Sequence, residues 1–183
     1  MKANHQLYFI GIIPPEPIFG EIESLKQELF EQYQTKVALK SPAHITIYRP
    51  FQLNKEQELS LDSALSNFFG NSQPFDITLT GYGCFEPRVL FVQPSSPPEL
   101  IALHEKLIQE LKKSFALDSY QNENRAFHPH ITIANRDIQP VFYKAWKEIE
   151  EQSYDRNFEA NSATLLRHNG KNWDRIGEYS FQK

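Results

Sequence analysis

The sequence predicts an α+β fold of two lobes related by a pseudo-twofold axis, with antiparallel sheets lining a central cleft and helices outside. Three observations predict it. Short β-rich runs alternate with amphipathic helical patterns. The order strand, helix, strand, helix, strand occurs twice along the chain. The tetrapeptide HITI falls at the same slot of both copies, at His44–Ile47 and His130–Ile133.

Taken in order, Leu7 to Ile13 is dense in β-branched and aromatic residues and stops at Pro14 and Pro15, which reads as a strand and not as a leader peptide or membrane span. Ile18, Ile22, Leu25, Leu29 and Phe30 then recur at helical spacing. The run HITIYR, closed by Pro50, forms the second strand. Lys55 to Phe69 forms the second helix, with Leu61, Leu65 and Phe68 on one face, and Gly70, Asn71 and Ser72 end it. Phe75 to Phe85 alternates apolar and polar residues as a third strand.

The second copy opens at Arg88 with VLFV, breaks from Pro94 to Pro98 and enters a helix carrying Leu100, Leu103, Leu107, Ile108 and Leu111. HPHITIAN supplies its histidine strand, Pro140 to Gln152 its second helix, and Phe158 to Arg167 one alternating strand. A turn at Asn169 and Gly170 folds the chain back along Trp173 to Phe181. The phase of the repeat is consistent: His130 minus His44 is 86 and Val89 minus Leu7 is 82. Residues 5–86 and 87–183 are therefore read as repeat halves of a single bilobal domain spanning 1–183.

Composition narrows the function. The 183 residues, 40% apolar, suffice for one domain with a sizeable core. With 19 basic and 23 acidic residues, a net charge of -4, the chain lacks the broad basic face that holds long nucleic acid, so any phosphate must be met locally. A single cysteine, Cys84, excludes an internal disulfide and a cysteine-based zinc site, and the expected setting is the cytoplasm.

Side chains alternate along a strand, so His44 and Thr46 share one face while Ile45 and Ile47 share the other, and likewise for His130, Thr132, Ile131 and Ile133. The isoleucines are expected in the core and the imidazole and hydroxyl groups in the cleft. Cleaving a phosphodiester without a metal needs a base for the incoming oxygen and an acid for the leaving oxygen. Imidazole, with an ordinary pKa of about 6.5, serves as either. The threonine hydroxyls would donate to nonbridging phosphate oxygens as charge builds.

The competing chemistry is a metal site, since His128 and His130 form a His-x-His pair. The repeat argues against it: the first copy has Pro42 where the second has His128, so only His130 is kept by the twofold plan, and His128 is read as a supporting residue. If alternation continues, Tyr48 follows Thr46 onto the cleft face, Arg49 points away, and Ala134 and Arg136 follow Thr132. Arg136 then becomes a candidate for holding substrate phosphate, and Tyr48, Phe51, Tyr82 or Phe85 for stacking on a base. Lys40, Arg88, Arg167, His168 and Lys171 are further cations for the rim, whereas His5 and His104 read as surface residues.

The segments PAHITI (42–47), GYGCF (81–85), FHPHITIA (127–134) and LLRHNGKNWDRIGEYSF (165–181) together resemble the 2H phosphoesterase superfamily, in particular its bacterial 2'-5' RNA ligase-like branch. The resemblance covers nearly the whole chain, and both copies of the histidine, apolar, threonine, apolar motif are intact. It implies catalytic roles for His44 and His130, phosphate-binding roles for Thr46 and Thr132, and no requirement for a metal or cofactor. It implies as partners RNA ends or small nucleotides carrying 2',3'-cyclic or 2'-5' phosphodiesters, with a 2'-phosphate as the product of cyclic ester opening. Joining RNA ends through a 2'-5' linkage is the same chemistry in reverse. A monomer acting away from membranes is expected. The alternative is a module that grips RNA-end phosphates without turnover.

Overall fold

The alternation from Phe75 to Phe85 becomes a strand over those same residues, one of eight in the computed structural model, which describes residues 5–117 and 126–182. In chain order the elements are β1 (His5–Ile12), α1 (Ile18–Tyr33), β2 (Ile45–Asn54), α2 (Glu58–Phe69), β3 (Phe75–Phe85), β4 (Val89–Pro94), α3 (Pro98–Phe115), β5 (Ile131–Asn135), α4 (Phe142–Ile149), β6 (Asp155–Ala160), β7 (Ser162–His168) and β8 (Trp173–Ser180). Local chemistry explains their ends. Pro98 stands in the first turn of α3, where its missing N–H costs nothing. Asn169 turns β7 into β8, its side-chain oxygen accepting from the N–H groups of Lys171 and Asn172, with Gly170 at φ +98°. Among the described residues no helix is long and apolar enough to cross a membrane.

The strands form one antiparallel sheet in the order β6-β3-β4-β5-β2-β1-β7-β8. Its two four-stranded halves meet where β5 adjoins β2, through the single pair Ile45 and Ile131. The sequence copies exchange elements across this seam. β3, from residues 5–86, lies in the half-sheet of β5, while the β7–β8 hairpin returns to the half-sheet of β1 and β2. The helices cross as well: α1 packs on β5 and α3 on β2. Each histidine strand is thus backed by the other copy's helix.

Two readings are corrected by this topology. Phe158 to Arg167 is not one strand. It divides at Asn161 into β6, an edge strand paired with β3, and β7, paired with β1 and β8. One linking residue spans at most about 7 Å between its neighbours, so the sheet must curl until its distant strands converge there. The contact of Phe75 with Phe181, ring centroids 6.2 Å apart, closes that end.

Nor does β2 stop at Pro50; it runs on to Asn54. Its pairing with β1 jumps from Tyr48 opposite Ile10 to Phe51 opposite Tyr8. Pro50 lies inside that irregularity, exposed, where no ladder N–H is required of it.

Candidate active site

Ile45, Ile47, Ile131 and Ile133 are all 1% exposed or less, packed in the core with Ile22, Leu29, Leu103 and Leu107. A one-residue slip would exchange them with the histidines and threonines, losing about 1.5–3 kcal/mol of burial per isoleucine. That cost fixes the register, and with it the opposite face. There His44, Thr46, His130 and Thr132 lie half-buried. Continuing the antiparallel register from Ile45 and Ile131 brings His44 across from Thr132 and Thr46 across from His130. The isoleucines therefore do in the structure what alternation predicts, and the four polar residues share one surface at the seam of the sheet.

Both imidazoles are held in the same way. His44 Nδ1 lies 2.6 Å from the Pro42 carbonyl oxygen, and His130 Nδ1 lies 2.8 Å from that of His128. A carbonyl only accepts, so each Nδ1 carries the hydrogen and each Nε2 is left to exchange protons. Aromatic rings flank them: Phe9 lies 4.5 Å from the His44 ring, and Phe85 and Phe91 lie 5.1 and 5.4 Å from that of His130. Burial among these groups disfavours the imidazolium. His44 is pushed down to about 4, by burial first and then by the Lys26 and His130 charges, against the opposing hydrogen bond to Pro42. His130 is also lowered, by burial and then by the neighbouring His128.

Beside Thr46 and His130 opens a cavity of about 750 Å³, also lined by Arg49, Phe85, His104 and Phe127. Its walls are mixed: aromatic faces that suit a nucleobase and a guanidinium that suits phosphate. His104 is a finding that the sequence reading missed. It is 7% exposed, its Nδ1 is 2.8 Å from the Ile47 carbonyl oxygen, and its ring stacks on Phe127 at 3.9 Å. The signal was present in the helix period, because residue 104 falls on the buried stripe of Leu100, Leu103, Leu107 and Leu111.

Beyond the threonines, alternation fails, and it fails identically in both copies. Gly11 pairs with Thr46 but Ile10 with Tyr48; Phe91 pairs with Thr132 but Leu90 with Ala134. One extra residue, Ile47 in β2 and Ile133 in β5, is bulged out of each ladder, and the side chains that follow change face, in β2 only until the second register shift at Pro50 returns Phe51 and Leu53 to the core face. Tyr48 is accordingly in the core at 0% exposure, its hydroxyl donating to the Leu117 carbonyl, and not on the cleft face. Arg49 takes the place expected for it, lining the cavity. Phe51, 4% exposed, packs on Tyr8 and Tyr48 in the core. Tyr82 lines a different cavity with Ile133 and Leu29, on the helix-covered face. Arg136 is exposed at φ 57° just beyond β5, and Asn135 is the register counterpart of Arg49.

Of the remaining candidates, Phe85 and His128 line the cavity. Arg167 donates to Glu58 at 2.8 Å and, with His168, borders a separate shallow pocket. Among the described residues, no group of three or more His, Cys, Asp or Glu side chains could hold a metal ion, so the pair His128 and His130 gains no third ligand.

A family profile described as "2'-5' RNA ligase superfamily" matches residues 14–172. A Bacillus cytotoxicus protein with only a provisional phosphoesterase designation is 31% identical over 129 residues, 69% of this chain and 68% of its own. A Bacillus subtilis protein named RNA 2',3'-cyclic phosphodiesterase is 28% identical over 134 residues, 70% of each chain. Among solved structures, Escherichia coli LigT complexed with 3'-AMP shares the fold at a TM-score of 0.67 and 19% identity, over 98% of this chain and 99% of that one. The same LigT is also known with phosphate, ATP and NADP+.

Proposed function

The chain belongs to the 2'-5' RNA ligase superfamily of 2H phosphoesterases, with a phosphodiesterase-type function, and on that premise we propose that it hydrolyses 2',3'-cyclic phosphates at RNA or nucleotide ends without a metal, using His44 and His130 as paired base and acid. The observation that carries this reading is the seam between Ile45 and Ile131. It sets two Nε2 atoms of the same tautomer and two threonine hydroxyls on one surface. In the proposed reaction one Nε2 takes the proton of an attacking water as its oxygen bonds to phosphorus. The other, protonated, gives its proton to the ribose oxygen whose bond to phosphorus breaks. Thr46 and Thr132 donate to the nonbridging oxygens as the pentacoordinate state gathers charge.

The surroundings of the two histidines are unequal, which supports a division of labour. His44 is held neutral both by burial and by the nearby Lys26 charge, which suits the base. His130 faces the open cavity, which suits the acid beside a departing ribose oxygen. The relative's name and the nucleotides bound to LigT support a nucleotide end as substrate. In this reading the chain works as one bilobal unit, because the site takes one strand from each repeat half. The test is an RNA ending in a 2',3'-cyclic phosphate, incubated with the protein and a chelator. The expected product carries a 2'-phosphate. Tight binding with no product would favour a phosphate-gripping module, and turnover abolished by chelator would favour a metal site.

A further inference from the structure

Lys26 is 1% exposed on α1, a placement that lysine tolerates only when paired. Its Nζ donates to Glu23 Oε1 at 2.7 Å and to the Ser41 carbonyl at 2.7 Å. The same Glu23 oxygen accepts from the Ala43 N–H at 2.6 Å. Between those two anchored residues lies Pro42, whose carbonyl receives the His44 Nδ1 hydrogen. The ion pair therefore grips both ends of the tripeptide that orients His44.

A pair of apolar side chains would fill this space at less cost, since desolvating two charges commonly cancels their attraction. What the charges supply is direction: a donor for one backbone carbonyl and an acceptor for one backbone N–H, three residues apart on a rigid helix. Among the described residues, no ion pair holds Phe127 to Pro129, the matching tripeptide before His130. Among the described residues the clamp serves His44 and has no counterpart at His130, which breaks the pseudo-symmetry of the site.

We infer that Glu23 and Lys26 are positioning residues for His44, fixing the Pro42 carbonyl so that the imidazole keeps its Nδ1–H tautomer and aims Nε2 at the attacking water. The inference rests on the proposed acid–base role of His44. Without the clamp, Ser41 to Ala43 relaxes and the ring turns with it; a displacement of about 1 Å costs on the order of a hundredfold in rate.

The test uses Glu23→Ala, Glu23→Gln and Lys26→Met, with kcat and KM measured on a 2',3'-cyclic nucleotide and the His44 tautomer read from imidazole 15N shifts. Glu23→Ala and Lys26→Met should lower kcat roughly ten- to hundredfold with KM within about threefold. The His44 signals should move from one tautomer to a mixture while those of His130 stay. Glu23→Gln, which keeps an amide oxygen for the Ala43 N–H, should recover most of the rate lost in Glu23→Ala. If Lys26→Met fails to fold, the two Glu23 variants decide. Folded variants that lose thermal stability but keep kcat and a single His44 tautomer would overturn the inference. A wild-type protein without turnover would instead remove the proposed reaction, and the 15N readout would still judge the clamp.

Discussion

Ile45 and Ile131 face each other where β2 meets β5, both at 0% exposure. Because the strands are antiparallel, this one contact puts each histidine opposite the other copy's threonine. In the proposed reaction both hydroxyls would then lie beside the phosphate on which the two imidazoles act.

Thr46→Val and Thr132→Val should each lower kcat on a 2',3'-cyclic nucleotide by about 10²- to 10³-fold, the cost of a lost oxyanion donor, roughly 2.7–4 kcal/mol. Steady-state kinetics on folded variants checks this. Unchanged kcat in both would remove the hydroxyls from the transition state.

The lowered pKa values of the histidines give the pH dependence its sign. Both imidazoles resist protonation in the free protein, His44 down to about 4. The base is then available well below the ordinary value of about 6.5, while the acid loses its proton before that value is reached. The kcat/KM optimum should fall on the acid side of 6.5. In kcat the alkaline limb should lie higher, because a bound phosphate anion favours the imidazolium. Linkage has the matching sign. The unfolded chain takes up the His44 proton near pH 6.5 and the folded chain only near 4, so stability falls as pH drops through that window. Denaturant titrations at pH 7.5 and 5 on wild type and His44→Gln should show the variant losing less stability. A kcat/KM profile that climbs through pH 7 to an alkaline plateau would contradict this account.

Gly11 gives the His44 ring its room. A Cβ there would lie 3.1 Å from the Ile45 carbonyl oxygen and 3.2 Å from His44 Cβ and Cδ2. Gly11→Ala should displace the imidazole and lower kcat by about tenfold or more, with little change in KM. Wild-type kcat in this variant would mean that the ring position is not critical.

Much of this is legible in the sequence. HITI states its own faces, because isoleucine and histidine cannot both prefer the same side of a half-buried strand. The repeat phase then places the two copies in one architecture. Legibility ended at Ile47, because a bulge is a property of backbone pairing and not of side-chain period. The adjacent apolar residues Ile47 and Tyr48, followed by Pro50, were the only local signs that alternation breaks there. Tyr48 and Arg49 consequently exchanged faces relative to the sequence reading. His104 was missed for a different reason: a lone histidine reads as polar unless its helix stripe is followed residue by residue.

Arg49 should matter where Arg136 does not. In the proposed complex, losing the guanidinium that lines the cavity would remove a charge-assisted hydrogen bond to a phosphate, worth about 1.5–3 kcal/mol. Arg49→Ala should therefore reduce kcat/KM on RNA with a cyclic end by roughly ten- to hundredfold, chiefly through KM. Arg136→Ala, exposed beyond β5, should stay within about twofold of wild type. The opposite ranking would return the phosphate-holding role to Arg136.

The most direct test of the paired-histidine site is the single-turnover rate of 2',3'-cyclic phosphate opening, in the presence of a chelator, for wild type, His44→Ala and His130→Ala. The wild type should turn over, and each variant should lose about 10²- to 10⁴-fold or more. Near-normal rates in either histidine variant, or a wild type silenced by the chelator, would contradict it.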